Sequence, residues 1–403
     1  WPPSACPPAA AARTPVRWLF IRFPSPQMDL AGCIRMRDRL RAVRQDGVSF
    51  HYLEEFLTTA DLRAAWKRYL RLAWTSRRLE ASMRELCRFE GSRLNFWAYM
   101  AEDWAETFRG WRCLERCLQQ RGIDNYVKAA GPQRWFTFPL ENCPWERMLT
   151  HAAHTTPGAG GPVYGAQHST IRPTDFRYFD DPVTFTDSAC APFQPDRICA
   201  NGQGALRQWQ AAGVPQERLE LVEALRYMYL VDARKSAVPP QEGQTHHRLL
   251  VVTGFFADET ADHVRLLARA VHAGLLDGWE IVVKPHPYLS VEADLRHELG
   301  AQAGRLRFAD GPIATHLVPG TVVWSSASTT VVLEAALKKL PVMVMLPSDG
   351  FDLCPLQDVP GLLRTGSLDD VKRALAQAAP PALPDDYLEL QPELPRWRAL
   401  LEL

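Results

Sequence analysis

The chain has 403 residues, 46 basic and 46 acidic, so its formal net charge is zero. That excludes a protein that grips nucleic acid by bulk charge, which needs a strongly basic domain. With 46% hydrophobic and 23% charged residues it is an ordinary globular chain, long enough for two or three domains. No apolar run approaches the roughly 20 residues of a membrane-spanning helix. The Pro/Ala-rich stretch Trp1–Thr14 has no apolar core of a secretory leader. Nine cysteines without a C-x-x-C pair read as reduced thiols. Cys113 and Cys117 are helix-spaced but lack a second pair to complete a zinc site.

Residues 1–15 read as a disordered lead. Val16–Phe23 is a short strand stopped by Pro24 and Pro26. Leu53–Leu86 and Asn95–Arg121 carry Leu, Trp and Tyr at helical spacing among Arg and Glu, which predicts two long helices. From about residue 134, short strands alternate with helices. Strands are expected over Arg134–Pro139, Pro162–Gln167, Val183–Thr186, Asp196–Ala200 and Leu219–Val222, with helices over Glu146–Ala153 and Ala205–Ala212. Such a rhythm implies a parallel sheet. The polar segment 233–247, with its Pro-Pro and Gly, reads as a linker.

A second series follows. Strands are expected over Leu249–Thr253, Glu280–Lys284, Leu306–Phe308, Thr321–Trp324 and Val342–Leu346. Helices are expected over Asp258–Ala273, Ala293–Leu299, Ile313–Leu317, Thr329–Leu340 and Leu368–Ala378, and an amphipathic helix over Tyr387–Leu403. The division is therefore a first α/β domain over 16–232 with extra helices, a linker over 233–247, a second α/β domain over 248–380, and a terminal segment 381–403 that crosses back.

Five motifs carry chemistry. Lys284-Pro285-His286-Pro287 follows a strand, and ligands of open α/β sheets bind beyond the strands' carboxyl ends. Two prolines stiffen a Lys and a His there into a compact site that suits a phosphate. The second motif is Ser325-Ser326-Ala327-Ser328-Thr329-Thr330, five hydroxyls in six positions before a helix. Capping explains one of them; an anion cradle explains the rest. Glu334, one turn inside, is placed to reach a ribose hydroxyl or is an ordinary helix acid.

Gln167-His168-Ser169 supplies polar groups at a strand end in the first domain. Glu141-Asn142-Cys143-Pro144-Trp145-Glu146-Arg147 offers two carboxylates, and Asp187 a third, as general base or nucleophile. Glu223-Ala224-Leu225-Arg226-Tyr227 precedes the linker, where an Arg can hold a phosphate or a sugar carboxylate. P-loop, G-x-G-x-x-G, H-E-x-x-H and G-x-S-x-G patterns are absent, as is a D-x-D dyad, so no essential metal is expected.

The motifs' order and spacing resemble bacterial surface-carbohydrate biosynthesis proteins, similar to the retaining β-Kdo transferases and, more distantly, to bacterial sialyl- and polysialyltransferases. The resemblance covers about residues 135–345, with Trp397 as a weaker match. It implies a GT-B fold, two Rossmann-like domains facing a cleft, with nucleotide on the second and acceptor on the first. It implies that His286 and Ser325, Ser326, Ser328 and Thr329 bind the CMP part of a CMP-activated ulosonic acid. Lys284 and Pro287, Gln167, His168, Ser169, Glu223, Arg226 and Glu334 complete the expected binding set, and Glu141, Glu146, Asp187 and His286 the catalytic set.

The sequence departs from its relatives in two ways: it lacks the acidic-pair-Gly base motif of sialyltransferases, and Ser169 follows Gln-His where capsule-type relatives often carry Gly. The expected function is transfer of Kdo or another nonulosonic acid from a CMP donor to a glycan or lipid-linked glycan, without a cofactor. A CDP-glycerol-type polyol-phosphate transferase and a non-catalytic nucleotide-binding partner are the alternatives. The expected location is cytoplasmic, and the Arg-rich aromatic helices between Leu62 and Arg121 permit peripheral contact with the inner membrane.

Overall fold

The computed structural model describes residues 14–22, 29–42, 47–172, 174–231, 247–346 and 351–403. The chain divides into two compact units. One comprises Trp1–Ala166, Val183–Ile198 and Arg398–Leu403; the other comprises Gln167–Pro182 and Cys199–Trp397. These bounds cut the chain differently from the expected 16–232 and 248–380, and the expected linker 233–247 lies outside the described residues except for His247.

The first unit opens with strand β1 (Val16–Phe20), helix α1 (Leu30–Ala42) and strand β2 (Val48–Tyr52), the strands paired in parallel. Helix α2 (Thr59–Leu86) follows. Thr58 caps it, exchanging hydrogen bonds with Asp61 in a capping box. The expected helix over Asn95–Arg121 is two helices, α3 (Trp97–Arg109) and α4 (Trp111–Ala130). The break is at Gly110, whose extended backbone cannot continue a helix. Ala65 of α2 packs on Cys113 and Cys117 of α4 in a small apolar core. Strand β3 (Phe136–Leu140), helix α5 (Pro144–Thr155) and strand β4 (Val163–Gln167) come next.

Val183–Thr186 is not a strand. Residues Pro182–Phe185 form a 3₁₀ turn, in which Val183 O accepts the amides of Thr186 and Asp187. Pro182 sets the turn against the β preference of Val and Thr.

Strand β5 (Arg197–Ala200), helix α6 (Gln203–Ala211) and strand β6 (Leu219–Leu221) complete this part of the chain. Strands β3, β4, β5 and β6 are hydrogen-bonded neighbours in that order.

The rest of the second unit is a six-stranded parallel sheet. Its strands are β7 (Arg248–Val252), β8 (Glu280–Lys284), β9 (Leu306–Phe308), β10 (Thr321–Ser326), β11 (Val342–Met345) and β12 (Leu363–Thr365). Its helices are α7 (Ala257–His272), α8 (Glu292–Leu299), α9 (Val331–Leu337) and α10 (Leu368–Ala376), followed by α11 (Pro395–Leu401) at the chain end.

Alternate residues build two cores. Leu250, Val252, Val282, Val323 and Val344 point to one face, and Leu249, Val251, Ile281, Val283 and Trp324 to the other. A parallel sheet buried on both faces reads as the continuous apolar runs seen in the sequence.

The strand order is β12-β11-β10-β7-β8-β9. Counted from β7 as first strand, this is the doubly wound Rossmann order, 3-2-1-4-5-6. The order reverses between the parallel neighbours β7 and β10, from which the following strands are added toward opposite edges of the sheet. A crevice at their carboxyl ends is where such sheets bind ligands.

Candidate functional site

At this switch point the loop after β7 runs Thr253-Gly254-Phe255-Phe256, and the loop after β10 runs Ala327-Ser328-Thr329-Thr330. They touch closely. A Cβ on Gly254 would collide with Ser328 Oγ and stand 2.7 Å from Glu259 Oε2, so a larger residue there would have to displace the Ser328–Glu259 pair. Glu259, in the first turn of α7, accepts the Ser328 amide at 3.0 Å and also the Ser328 hydroxyl.

The hydroxyl run is placed differently from the expected cradle. Strand β10 extends two residues past Trp324, so Ser325 and Ser326 are fully buried strand residues. Ser325 Oγ donates to Ser326 O at 3.1 Å, and Ser326 Oγ lies 3.1 Å from His263 Nδ1. Burial pushes the pKa of His263 down to about 3, so its ring is neutral. Three of the five hydroxyls thus hold the loop, and Thr329 Oγ1 accepts the Val331 amide at 2.9 Å. The half-buried Thr329 and Thr330 edge is what the loop offers outward.

The Lys-Pro-His-Pro motif emerges from β8, next to β7. Lys284 Nζ donates to Ala309 O at 3.3 Å, and the His286 amide to Thr253 Oγ1 at 3.3 Å. Tyr288 N donates to His286 Nδ1, which leaves Nε2 to carry the proton of the neutral ring. Partial burial lowers the pKa of His286 from 6.5. At pH 7 it is therefore a neutral N–H donor. Pro287 is exposed. The ring of Phe255 is 5.8 Å from that of His286, and the exposed Tyr288 ring is 5.5 Å away on the same histidine.

Arg172, which the sequence reading passed over, joins this cluster. Its guanidinium donates to Ser328 O at 2.6 Å, while its Nε is buried without a partner. Two more buried oxygens are unsatisfied, Thr170 Oγ1 and Glu334 Oε2, and the buried Tyr227 hydroxyl has Ser169 as its polar neighbour. The charges of Arg226, Glu334 and Arg172 all act on the Tyr227 hydroxyl, which marks them as neighbours. Glu334 is 5% exposed; burial raises its pKa, opposed by the adjacent Tyr229 hydroxyl, Lys338 and Arg226. The signal that could have found Arg172 is its place in Gln167–Arg172, a polar run leaving a strand end.

Gln167 and Glu223 both hold the backbone. Gln167 ties its loop, donating to Ser169 O at 2.7 Å and accepting the Asn201 amide at 2.9 Å. His168 and Ser169 are half-buried beside it. Glu223 is 1% exposed, and its carboxylate accepts the Arg396 and Trp397 amides at 2.8 and 3.0 Å. Those are first-turn donors of α11, which lack intrahelical partners. Arg226 is exposed.

The three candidate carboxylates differ. Glu146 is 1% exposed and accepts the Glu141 and Asn142 amides, each at 3.0 Å. Burial outweighs these bonds and pushes its pKa up to about 7. It clamps a tight turn in which Asn142 is left-handed (φ 58°), a conformation Asn tolerates. Glu141, at the carboxyl end of β3, is half-buried. Asp187 is exposed and caps a turn, accepting the Ala189 and Cys190 amides at 2.9 and 3.1 Å.

No family model matches the chain, and no curated protein matches it. Among solved structures it is similar to UDP-GlcNAc 2-epimerase from Methanocaldococcus jannaschii, at 9% identity over 96% of this chain and 99% of that one, with a TM-score of 0.50. It is also similar to UDP-N-acetylglucosamine 2-epimerase from Rickettsia bellii (12% identity, 95% and 92% of the two chains, TM-score 0.43). Anabaena Alr3699/HepE, solved with UDP and glucose, matches at 15% identity over 63% and 70%, TM-score 0.38. At such identities the likeness speaks for fold. The chain is an α/β protein of the GT-B type, with Rossmann-like units.

Proposed function

We propose that the protein is a glycosyltransferase that draws on a nucleotide-activated sugar held by the second unit. The observation that carries this reading is a set of buried, unpartnered polar atoms: Arg172 Nε, on the residue that bonds Ser328 O, Thr170 Oγ1 two residues before it, and Glu334 Oε2 in the helix that follows the Ser328 loop. Each costs about 1–3 kcal/mol unless a ligand or a buried water completes it. Their place beside a Rossmann switch point suits a nucleotide, and one solved structure of like fold belongs to an enzyme named for a UDP-sugar.

The donor we propose is CMP-activated Kdo or another nonulosonic acid. An Arg with an open Nε suits a sugar carboxylate, which takes paired hydrogen bonds from a guanidinium. The hydroxyl-rich loop and the Nε2–H of His286 suit the phosphate, with Lys284 as its counter-charge. As the bond from the anomeric carbon to phosphate breaks, CMP leaves with the electron pair, and these donors stabilise the growing charge. Glu141 is the proposed catalytic carboxylate, and Glu146 positions it by holding its backbone amide. The acceptor is a surface glycan or its lipid-linked precursor, and the reaction belongs on the cytoplasmic side of the inner membrane.

The test is a melting-temperature screen of CMP, UDP and CDP, followed by turnover with CMP-Kdo, CMP-sialic acid, CDP-glycerol and UDP-GlcNAc. The expected result is a CMP-dependent rise that Arg172→Ala and His286→Ala abolish, and CMP release that Glu141→Gln abolishes with binding intact. If no nucleotide stabilises the protein, the reading is lost. Consumption of CDP-glycerol identifies a polyol-phosphate transferase instead, and binding without any turnover identifies a non-catalytic nucleotide-binding protein.

A further inference from the structure

Helix α2 exposes an apolar stripe. Leu62, Trp66, Leu70 and Trp74 recur every four residues, and each has about half its surface in water, 49% to 53%. Over these 12 positions the helix advances about 18 Å. A stripe of this kind is not needed for the fold, because α2 packs through its other side. Asp61, Ala65, Ala73 and Ser76 are its buried positions. Asp61 accepts two hydrogen bonds from Arg121 of α4, at 2.8 and 3.0 Å, and one from Asn125 at 3.1 Å. Tyr69 OH donates to Arg109 O at 2.7 Å. The helix is thus held rigidly while its aromatic face is left open.

Charge says what the open face fits. Between Leu62 and Leu79, the helix carries six basic residues, Arg63, Lys67, Arg68, Arg71, Arg77 and Arg78, and no acidic one. All six are exposed, in a chain whose net charge is zero. The Arg78 guanidinium lies over the Trp74 ring, 3.5 Å from its centroid. Long basic side chains beside Trp and Leu keep their heads at the polar level while their stems lie along apolar surface. Trp rings favour the boundary between headgroups and acyl chains. No helix among the described residues is long and apolar enough to cross a membrane.

We propose that the Leu62–Trp74 stripe of α2 docks the protein onto an anionic phospholipid surface, with the helix lying in the interface plane and its basic side chains on the headgroups. This inference stands apart from the nucleotide-sugar reading, because it uses none of the residues around Ser328. A second copy of the chain would bring the same cations face to face, and a nucleic acid would need Trp74 uncovered for stacking.

The experiment is flotation of the full chain with vesicles of phosphatidylcholine alone and of phosphatidylcholine with phosphatidylglycerol, at low and high salt. Binding is expected only to the anionic vesicles, and to weaken with salt. Trp66→Ser with Trp74→Ser should lower it about tenfold. Lys67→Gln with Arg71→Gln should lower it roughly 25-fold, at about fivefold per charge. The unfolding midpoints of both variants should match that of the wild type, which shows that they fold. Equal binding to both vesicle types, or wild-type binding by both variants, overturns the proposal. So does a dimer in light scattering that the Trp variants split, or displacement of vesicles by a single-stranded oligonucleotide.

Discussion

Two buried glutamates, one in each unit, sit in the first turn of a helix that follows a strand. Glu146 in α5 is 1% exposed and Glu334 in α9 is 5% exposed, and burial raises the pKa of both. Their oxygens are used differently. Glu146 spends both on backbone amides, whereas Oε2 of Glu334 has no partner. Burial and a shifted pKa are therefore the same signal for two roles. A satisfied carboxylate is part of the scaffold, while an unsatisfied one has bonding capacity that something else must complete.

The largest effect that tests this contrast is on folding. Glu146→Ala leaves the Glu141 and Asn142 amides unpaired and should cost about 2–4 kcal/mol in urea unfolding. A cost below about 1 kcal/mol would erase the distinction between the two residues. Next comes the reciprocal experiment. Glu334→Ala should change stability by less than about 1 kcal/mol but weaken nucleotide binding about 10- to 100-fold by calorimetry, the value of a charged hydrogen bond or two. Affinity equal to wild type would make Glu334 another buried scaffold acid.

A smaller, pH-dependent effect follows from the proton. The folded-state pKa of Glu146 is about 7 against an ordinary 4.5, so the folded state holds the proton more tightly. Its contribution to stability is full below about 4.5 and is lost as pH rises through 7. Glu334 shifts in the same direction. His263 acts oppositely: with its pKa lowered from 6.5 to about 3, it costs stability as pH falls below 6.5. Melting curves of Glu146→Gln between pH 5 and pH 8 should therefore be flatter than those of wild type; an unchanged slope would remove Glu146 from this account. The smallest effect belongs to the exposed Asp187. Asp187→Asn should stay within about 0.5 kcal/mol and leave turnover unaltered. A large loss of turnover would promote it over Glu141.

The second unit's sheet was the most legible part of the sequence. Glu280–Lys284 was anticipated to the residue, because an apolar run between polar ends has few other readings. Helix α1, strand β2 and strand β12 were not anticipated. α1 is Arg-rich with one buried residue, Cys33, and β12 has three residues, so neither carries a strong pattern. The terminal helix was expected from Tyr387 and begins at Pro395. Proline suits a helix's first position and disfavours helix in the residue before it, and Leu394 is left-handed (φ 53°).

In the candidate site, composition marked the loops that follow β8 and β10. It could not say which hydroxyls face inward, because that depends on where β10 ends. The polar run Gln167–Arg172 pointed toward Arg172, but not to its bond with a carbonyl 156 residues away.

Glu223 has a consequence for how the chain is made. Its buried carboxylate is satisfied by amides 173 and 174 residues further on. During synthesis, Glu223 and the roughly 170 residues after it are made before those amides exist. Until then an ionised Glu223 has no partner in α11 and resists burial. The second unit is thus set to complete itself late, when the segment carrying Trp397 arrives. A chain cut short of Pro395 should be marked as unfinished by an exposed Glu223 and the open apolar seat of the Trp397 ring.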